Sequence, residues 1–311
     1  PPLSPSGEPQ GLNYQEMLRE LMIASGFSEC INYSFLSDAY LAGFGSIDNL
    51  IYLVNPISAD MNALRPNIFP SLVRSLEYNW NQGERSVKLF EISSVFQKKD
   101  DLRLEPIHIA FGLIGDFTPL SWAAADKYDN FYYLKGICNN IFAKLGLSAR
   151  YLAAGLNFLH PGKSAEVFLD NDRVGFIGAL HLNIAEQLDI RSDIYIAELD
   201  LSGLVSAEKR KLRYSRFSRF PSVYKDISLV VDKHLQAETL RALILATSPL
   251  IQNAALFDIY SGEVVDPQKE KSLTYRIFFS SLDKTLTDEE INPLLYEVES
   301  RAAAEFNARL R

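Results

Sequence analysis

Two hydrophobic rhythms share this chain. In "LNYQEMLRELMIASGF", Met17, Leu18, Leu21 and Met22 fall on one stripe, which predicts an amphipathic helix. Asn13 with Glu16 predicts a reciprocal capping box at its start, and Gly26 marks its end. "CINYSFL" and "NLIYLVNP" read as strands, the second stopped by Pro56. "PSLVRSLEYNWNQG" reads as a helix with Pro70 at its entry and Gly83 beyond its end. "SVKLFEISSVFQ" and "PIHIAFGLIGD" are long strands, and "NFYYLKGICNNIFAKLG" is a helix stopped by Gly146. "AEVFLDNDRVGFIGAL" predicts a hairpin around Asn171 and Asp172, and "DIYIAELDL" one more strand. Strands come in neighbouring runs, which argues for an α+β domain built on an antiparallel sheet.

From Lys225 on, the order is simpler. "KDISLVVD" is a strand, "QAETLRALILATS" a helix, "IQNAALFDIYSG" and "KSLTYRIFFSSL" two strands, and "TDEEINPLLYEVESRAAAEF" a helix capped by Thr287 and Glu290. "NARLR" supplies a short closing strand. The order βαββαβ is the ferredoxin-like split motif.

The 311 residues fit two domains, and 47% hydrophobic with 23% charged residues describes a globular chain. No apolar run approaches the ~18 residues of a membrane span, so no membrane role is expected. "PPLSPSGEPQ" lacks the features of a signal peptide and reads as a linker, as in a piece of a longer protein. Cys30 and Cys138 sit in apolar contexts and are expected to be buried free thiols, which fits a reducing cytosol.

The net charge of −8 is unevenly spread. From Arg210 onward 15 basic residues meet 14 acidic ones, while the remainder carries 16 against 25. The basic residues cluster in "EKRKLRYSRFSR", where Lys209, Arg210, Lys211, Arg213, Arg216 and Arg219 face one acid, Glu208. A solvated linker and a polyanion-binding strap both fit that composition.

Several motifs fail on inspection. "HPGKSAE" has the Gly-Lys-Ser of a phosphate loop, but Asn157 stands where its first glycine belongs, and a strand follows. "GFG" at Gly43–Gly45 lacks the third glycine of a dinucleotide fingerprint. His108, His160, His181 and His234 have no second ligand at metal spacing, and Ser164 has no sequence-evident base. Glu91, in an apolar strand, reads as a structurally paired carboxylate in preference to a catalytic one.

Two groups of motifs carry a resemblance. "NPISADMNALRPNIFPSLVRSLEYNWNQGERSVKLFEISSVF", then "FLHPGKSAEVFLDNDRVGFIGALHLNIAEQLDI" and "YIAELDL", are similar to the core of the β subunit of bacterial phenylalanyl-tRNA synthetase. "RFPSVYKDISLVVD", "LFDIYSG", "KSLTYRIFFSS" and "TLTDEEIN" resemble that subunit's C-terminal ferredoxin-fold anticodon-binding domain. The resemblance implies a linker at 1–10, a class II synthetase-like core at 11–205, a basic linker at 206–219 and the anticodon-binding domain at 220–311. It implies that the core has lost its chemistry. Leu89, ahead of Glu91, takes the place of the motif 2 arginine that binds the ATP α-phosphate, and Gly203 of motif 3 has no accompanying Arg before the end of its helix. An apolar side chain there cannot neutralise phosphate charge.

By the same resemblance the active site belongs to an α subunit that this chain supports. The implied partners are that subunit, tRNA(Phe) and an α2β2 heterotetramer in the cytoplasm. ATP and Mg2+ are implied for the holoenzyme, with no catalytic or metal-binding residue in this fragment. The family's RNA-binding, editing and magnesium-binding segments have no counterpart here, which marks a C-terminal fragment. The other functions left open are a protein-interaction module without an RNA role and a stand-alone enzyme with a different site.

Within the ferredoxin-like domain, period-2 alternation sends Ile227, Leu229 and Val231, Phe257 and Ile259, and Tyr275, Ile277 and Phe279 toward the helices. Asp258, Tyr260, Arg276 and Phe278 are left on the open face. Tyr260, Arg276 and Phe278 are therefore the candidate base-contacting residues, with Arg216, Arg219 and Lys225 at one edge as phosphate contacts.

Overall fold

The computed structural model describes residues 10–45, 47–99, 102–117, 130–207, 216–262, 265–266 and 268–311. The chain divides into two units, Pro1–Leu212 and Arg213–Arg311. The divide falls within the stretch 206–219; its residues 208–215, most of the basic cluster, lie outside the described residues.

The first unit begins with α1 (Gln10–Ala24), β1 (Ser28–Glu29), β2 (Phe35–Leu36), α2 (Asp38–Ala42), β3 (Ile51–Tyr52) and β4 (Ala63–Leu64). Next come α3 (Phe69–Asn81), β5 (Ser86–Ser94), β6 (Gln97–Lys99), β7 (Leu102–Leu104), β8 (Ile107–Gly115) and α4 (Asn130–Leu145). It closes with β9 (Arg150–Ala153), β10 (Leu159–Leu169), β11 (Asp172–Leu180), α5 (Leu182–Gln187), β12 (Ile194–Asp200) and α6 (Leu201–Ser206). Among the described residues its main sheet has seven strands in the order β1-β5-β8-β12-β11-β10-β9. The pair β1–β5 is parallel and the others are antiparallel.

Both faces of this sheet are covered. Leu18 and Met22 of α1, Ile137 and Ile141 of α4 and Leu204 of α6 share an apolar cluster with Phe90, Phe111 and Leu199 of the sheet. On the other face Leu72, Val73 and Leu76 of α3 share a cluster with Leu89, Ala110, Phe176 and Ile196. Pro70 starts α3 without the cost of a missing donor, because the first-turn N–H groups have no intrahelical acceptor. Gly112 lets α3 approach the sheet: a Cβ there would lie 3.0 Å from the Tyr195 carbonyl and 3.1 Å from Leu76 Cδ1.

Several local expectations fail. α1 begins at Gln10, so Asn13 lies inside the helix and caps nothing; Glu16 instead pairs with Arg19 at 2.7 Å. "CINYSFL" is a strand only at Phe35–Leu36, and "NLIYLVNP" only at Ile51–Tyr52. The hairpin turn is Asp170–Asn171, one residue earlier than expected, with Asp170 at φ 51° and Leu169 facing Asp172. "HPGKSAE" is held within β10 as extended chain, a geometry that cannot wrap a phosphate. Cys138 is buried and Cys30 half-buried, both free thiols. Burial raises each thiol to about 12.

The second unit runs β13 (Val223–Asp232), α7 (Ala237–Thr247), β14 (Ile251–Tyr260), β15 (Glu270–Phe279), α8 (Asp288–Phe306) and β16 (Arg309–Leu310). Its sheet order is β14-β15-β13-β16, all antiparallel. Thr287 and Glu290 form the expected capping box on α8. Ile227, Leu229, Val231, Tyr275, Ile277 and Phe279 pack with Leu240 and Ile244 of α7 and Val298 of α8. Among the described residues of both units, no helix is long and apolar enough to cross a membrane.

Leu76 is fully buried under α3. Leu76→Ala is expected to cost about 2–5 kcal/mol, read as a lower denaturant midpoint at an unchanged m-value.

Candidate nucleic-acid interface

Among its described residues the first unit carries two buried carboxylates, and each is committed to structure. Glu91 of β5 accepts from Arg65 Nη2 at 2.6 Å and from Asn32 Nδ2 at 2.8 Å; Ser75 of α3 donates to Asn32 at 2.7 Å. Arg65 is fully buried, so this pair links the β4 region, β5 and α3 without solvent. Glu198 of β12 accepts from the backbone N–H groups of Ile68 at 3.0 Å and Phe69 at 2.8 Å. Its other oxygen meets Asn67 Nδ2 at 3.2 Å and His108 Nδ1 at 2.6 Å. A carboxylate at a helix N-terminus satisfies the otherwise orphaned donors and the helix dipole together.

Beside Glu198 lies a cleft of about 380 Å³ lined by Asn67, Gln97, His108, Arg173, Phe176 and Asp200, among others. Leu89 does not line it: Leu89 is buried beneath α3, and the side chain that this stretch of chain supplies to the cleft is the neutral amide of Gln97. Arg173, the guanidinium lining the cleft, is paired with Glu166 at 2.5 Å. Asp200 caps α6 through Gly203 N at 3.0 Å. A cleft bearing two carboxylates and a neutralised arginine does not fit the triphosphate of ATP, and no step of adenylate chemistry is derived for it.

The second unit presents the other candidate. Both helices cover one sheet face, and on the opposite face Asp226 is paired with Arg276, Tyr224 with Phe278 and Tyr260 with Ser272. This face is open at one end only: Val230, Ser272 and Thr274 are buried, whereas Tyr224 is 56% exposed. The six candidate residues divide accordingly. Arg276 and Phe278 lie on the open end, and the Phe278 ring is 6.3 Å from that of Tyr224. Tyr260 lies on the same face at the far end, its ring 4.9 Å below the Arg311 guanidinium. Arg216 and Arg219 are exposed where the unit begins. Arg216 and the exposed Phe217 line a cleft of about 710 Å³ with Phe220, Gln252 and Leu282. Ser218 anchors this segment by donating to the Ser281 carbonyl at 2.6 Å. Lys225 is not grouped with them: alternation puts it on the helix side of β13, where it pairs with Asp288 of α8 at 2.8 Å.

Arg276, a candidate base contact, is itself paired with a carboxylate on that face. Its Nε and Nη2 donate to the two oxygens of Asp226, each at 2.8 Å. Those hydrogen bonds hold the Asp226 carboxyl below its ordinary range. A depressed carboxyl keeps its pairing at every pH above the unfolded value, and loses it only as pH falls through the lowered folded value. Phe257 contradicts its assignment to the helix face. A bulge between Leu256 and Asp258 inserts one residue into β14, and Phe257 emerges 56% exposed with Arg276 Cζ 5.3 Å from its ring. Ile259 keeps register with Leu273 on the helix side but is half exposed. Sequence reasoning missed Tyr224, Phe257 and Arg311. Alternation alone could have found Tyr224, two residues ahead of Asp226 on the polar set of β13.

Much of the chain shares its fold with the crystal structure of pyrrolysyl-tRNA synthetase from Desulfitobacterium hafniense, with a TM-score of 0.52 at 15% identity over 65% of this chain and 70% of that one. The chain therefore has an antiparallel fold of the class II synthetase type, followed by a ferredoxin-like domain with a half-open sheet. Residues 2–201 match the family model of the phenylalanyl tRNA synthetase beta chain CLM domain, and residues 218–311 that of the ferredoxin-fold anticodon binding domain. The chain belongs to the phenylalanyl-tRNA synthetase β-chain family. It is similar to the phenylalanine–tRNA ligase β subunit of Carboxydothermus hydrogenoformans, at 32% identity over 96% of this chain and 38% of that one. That of Geobacillus kaustophilus is 34% identical over 94% and 37%. The chain thus spans about 38% of the length of such relatives.

Removing one partner of the buried Arg65–Glu91 pair leaves a buried charge uncompensated. Arg65→Met is expected to cost about 3–5 kcal/mol, and Arg65→Met with Glu91→Leu distinctly less; urea melts of both variants check the order.

Proposed function

We propose that this chain works as part of the β subunit of phenylalanine–tRNA ligase. Its first unit braces the active site of an α subunit, and its second binds the anticodon region of tRNA(Phe). The observation that carries the reading is the half-open ferredoxin sheet, where exposed aromatic rings surround an arginine on the face away from both helices. Unstacked loop bases are held by such rings, and phosphates by flanking cations such as Arg216 and Arg219.

The scaffold role is supported by what the first unit exposes. Ile31, Val54 and Ile57 are each at least 90% exposed, and Tyr33 and Tyr78 more than 60%. Exposed apolar side chains in such number suit a protein partner. Tyr33 and Tyr78 line a cleft of about 360 Å³ with Met61, Arg74 and Asn79. Leu72 and Leu76 of α3 are core residues and take no part; the outward side of that helix is Arg74 and Tyr78. The α subunit would supply ATP and Mg2+ binding and the chemistry, in a cytoplasmic α2β2 assembly.

Mixing the chain with the α subunit tests this reading. Light scattering should report a stable complex, which Ile57→Asp weakens. The chain alone should give no phenylalanine-dependent exchange of pyrophosphate into ATP; exchange above a no-protein control would refute the scaffold role.

A further inference from the structure

We propose that Tyr224 and Phe257 form a platform on which a nucleobase stacks, and that Arg276 is the residue that positions it and not a phosphate contact. This rests on the RNA-binding reading above and assigns the chemistry within it. Three strands meet here: Tyr224 comes from β13, Arg276 from β15 and Phe257 from the bulge of β14. The Arg276 guanidinium carbon lies 4.4 Å from the Tyr224 ring centre and 5.3 Å from that of Phe257. Its edge is occupied by both oxygens of Asp226. The charge is countered and the flat face is covered, so little of this arginine remains to attract a phosphate. Asp226 would repel one.

What the site offers outward is two rings, each 56% exposed. A neutral, flat ligand fits that surface, and an unstacked base is such a ligand. Ala255, directly across from Arg276 on β14, adds no bulk beside the guanidinium. The bulge supplies the ring two residues further on. Lysine could not replace Arg276 in this role. It has neither a planar face for the rings nor a fork for both carboxylate oxygens.

Binding of a fluorescent anticodon stem-loop RNA of tRNA(Phe) to the 311-residue chain, titrated over a range of salt, tests the assignment. Tyr224→Ala and Phe257→Ala should each weaken binding about tenfold or more, with the slope of log affinity against log salt unchanged. Tyr224→Phe should bind as the unaltered chain does. Arg276→Lys, which keeps the charge, should lose about as much as Tyr224→Ala, again with the slope unchanged. Arg216→Ala should instead flatten the slope by about one unit. Wild-type affinity in both alanine variants of the rings would overturn the platform. So would Arg276→Lys binding normally while Arg276→Ala flattens the slope. Absence of RNA binding by the unaltered chain at low salt would overturn the RNA-binding reading, and the platform with it. Thermal melts matching the unaltered chain establish that the variants are folded.

Discussion

Glu198 fixes where α3 begins, and much of the first unit follows from that point. A carboxylate withdrawn almost wholly from water is tolerable only when its oxygens are fully engaged. Here two backbone donors of the helix entrance, an amide and a histidine ring engage them. With its entrance pinned to β12, α3 must lie across β8, where Gly112 admits Leu76. Arg65 and Glu91 fix a second point on the same helix through Asn32 and Ser75. The polar groups nearest the centre of this sheet are therefore occupied in supporting a helix.

The long, strongly periodic elements could be read from the chain. α3, α4, β8 and the βαββα core of the second unit all follow from apolar spacing with glycine or proline at the ends. Short pieces were not legible in the same way. "CINYSFL" has strand composition, yet only two residues pair, because Asn32 and Cys30 are held by Glu91 and the Phe90 carbonyl across the fold. Glu198 and its helix partners are separated by 129 or 130 residues, and no local pattern announces a contact at that range. Lys225 looked like one of a basic group, but its direction is set by strand alternation and its partner by α8. Phe257 was misplaced because an inserted residue reverses the alternation that located it.

The two sheets show how coverage decides use. The first has apolar clusters on both faces, which leaves its loops and helix backs exposed. The second has helices on one side and, on the other, a surface that is closed by burial at Val230, Ser272 and Thr274 and open at Tyr224 and Phe257. Aromatic side chains can stay exposed there because Arg276 and Asp226 hold one of them in place at fixed geometry. Nothing comparable is found among the described residues of the first cleft, where the arginine faces Glu166.

The interruptions in β14 have a consequence apart from ligand binding. β14 is the outermost strand of its sheet, so the backbone donors and acceptors on its free side are not used in the sheet. A flat, regular strand in that position is a template onto which a second molecule's strand can add. The register of β14 against β15 slips twice, near Gln252 and at Phe257, and each slip twists the strand and breaks its repeat. An incoming strand could match only a few consecutive groups before falling out of step. The same inserted residue that turns Phe257 outward therefore makes this edge a poor template for strand addition by a second molecule.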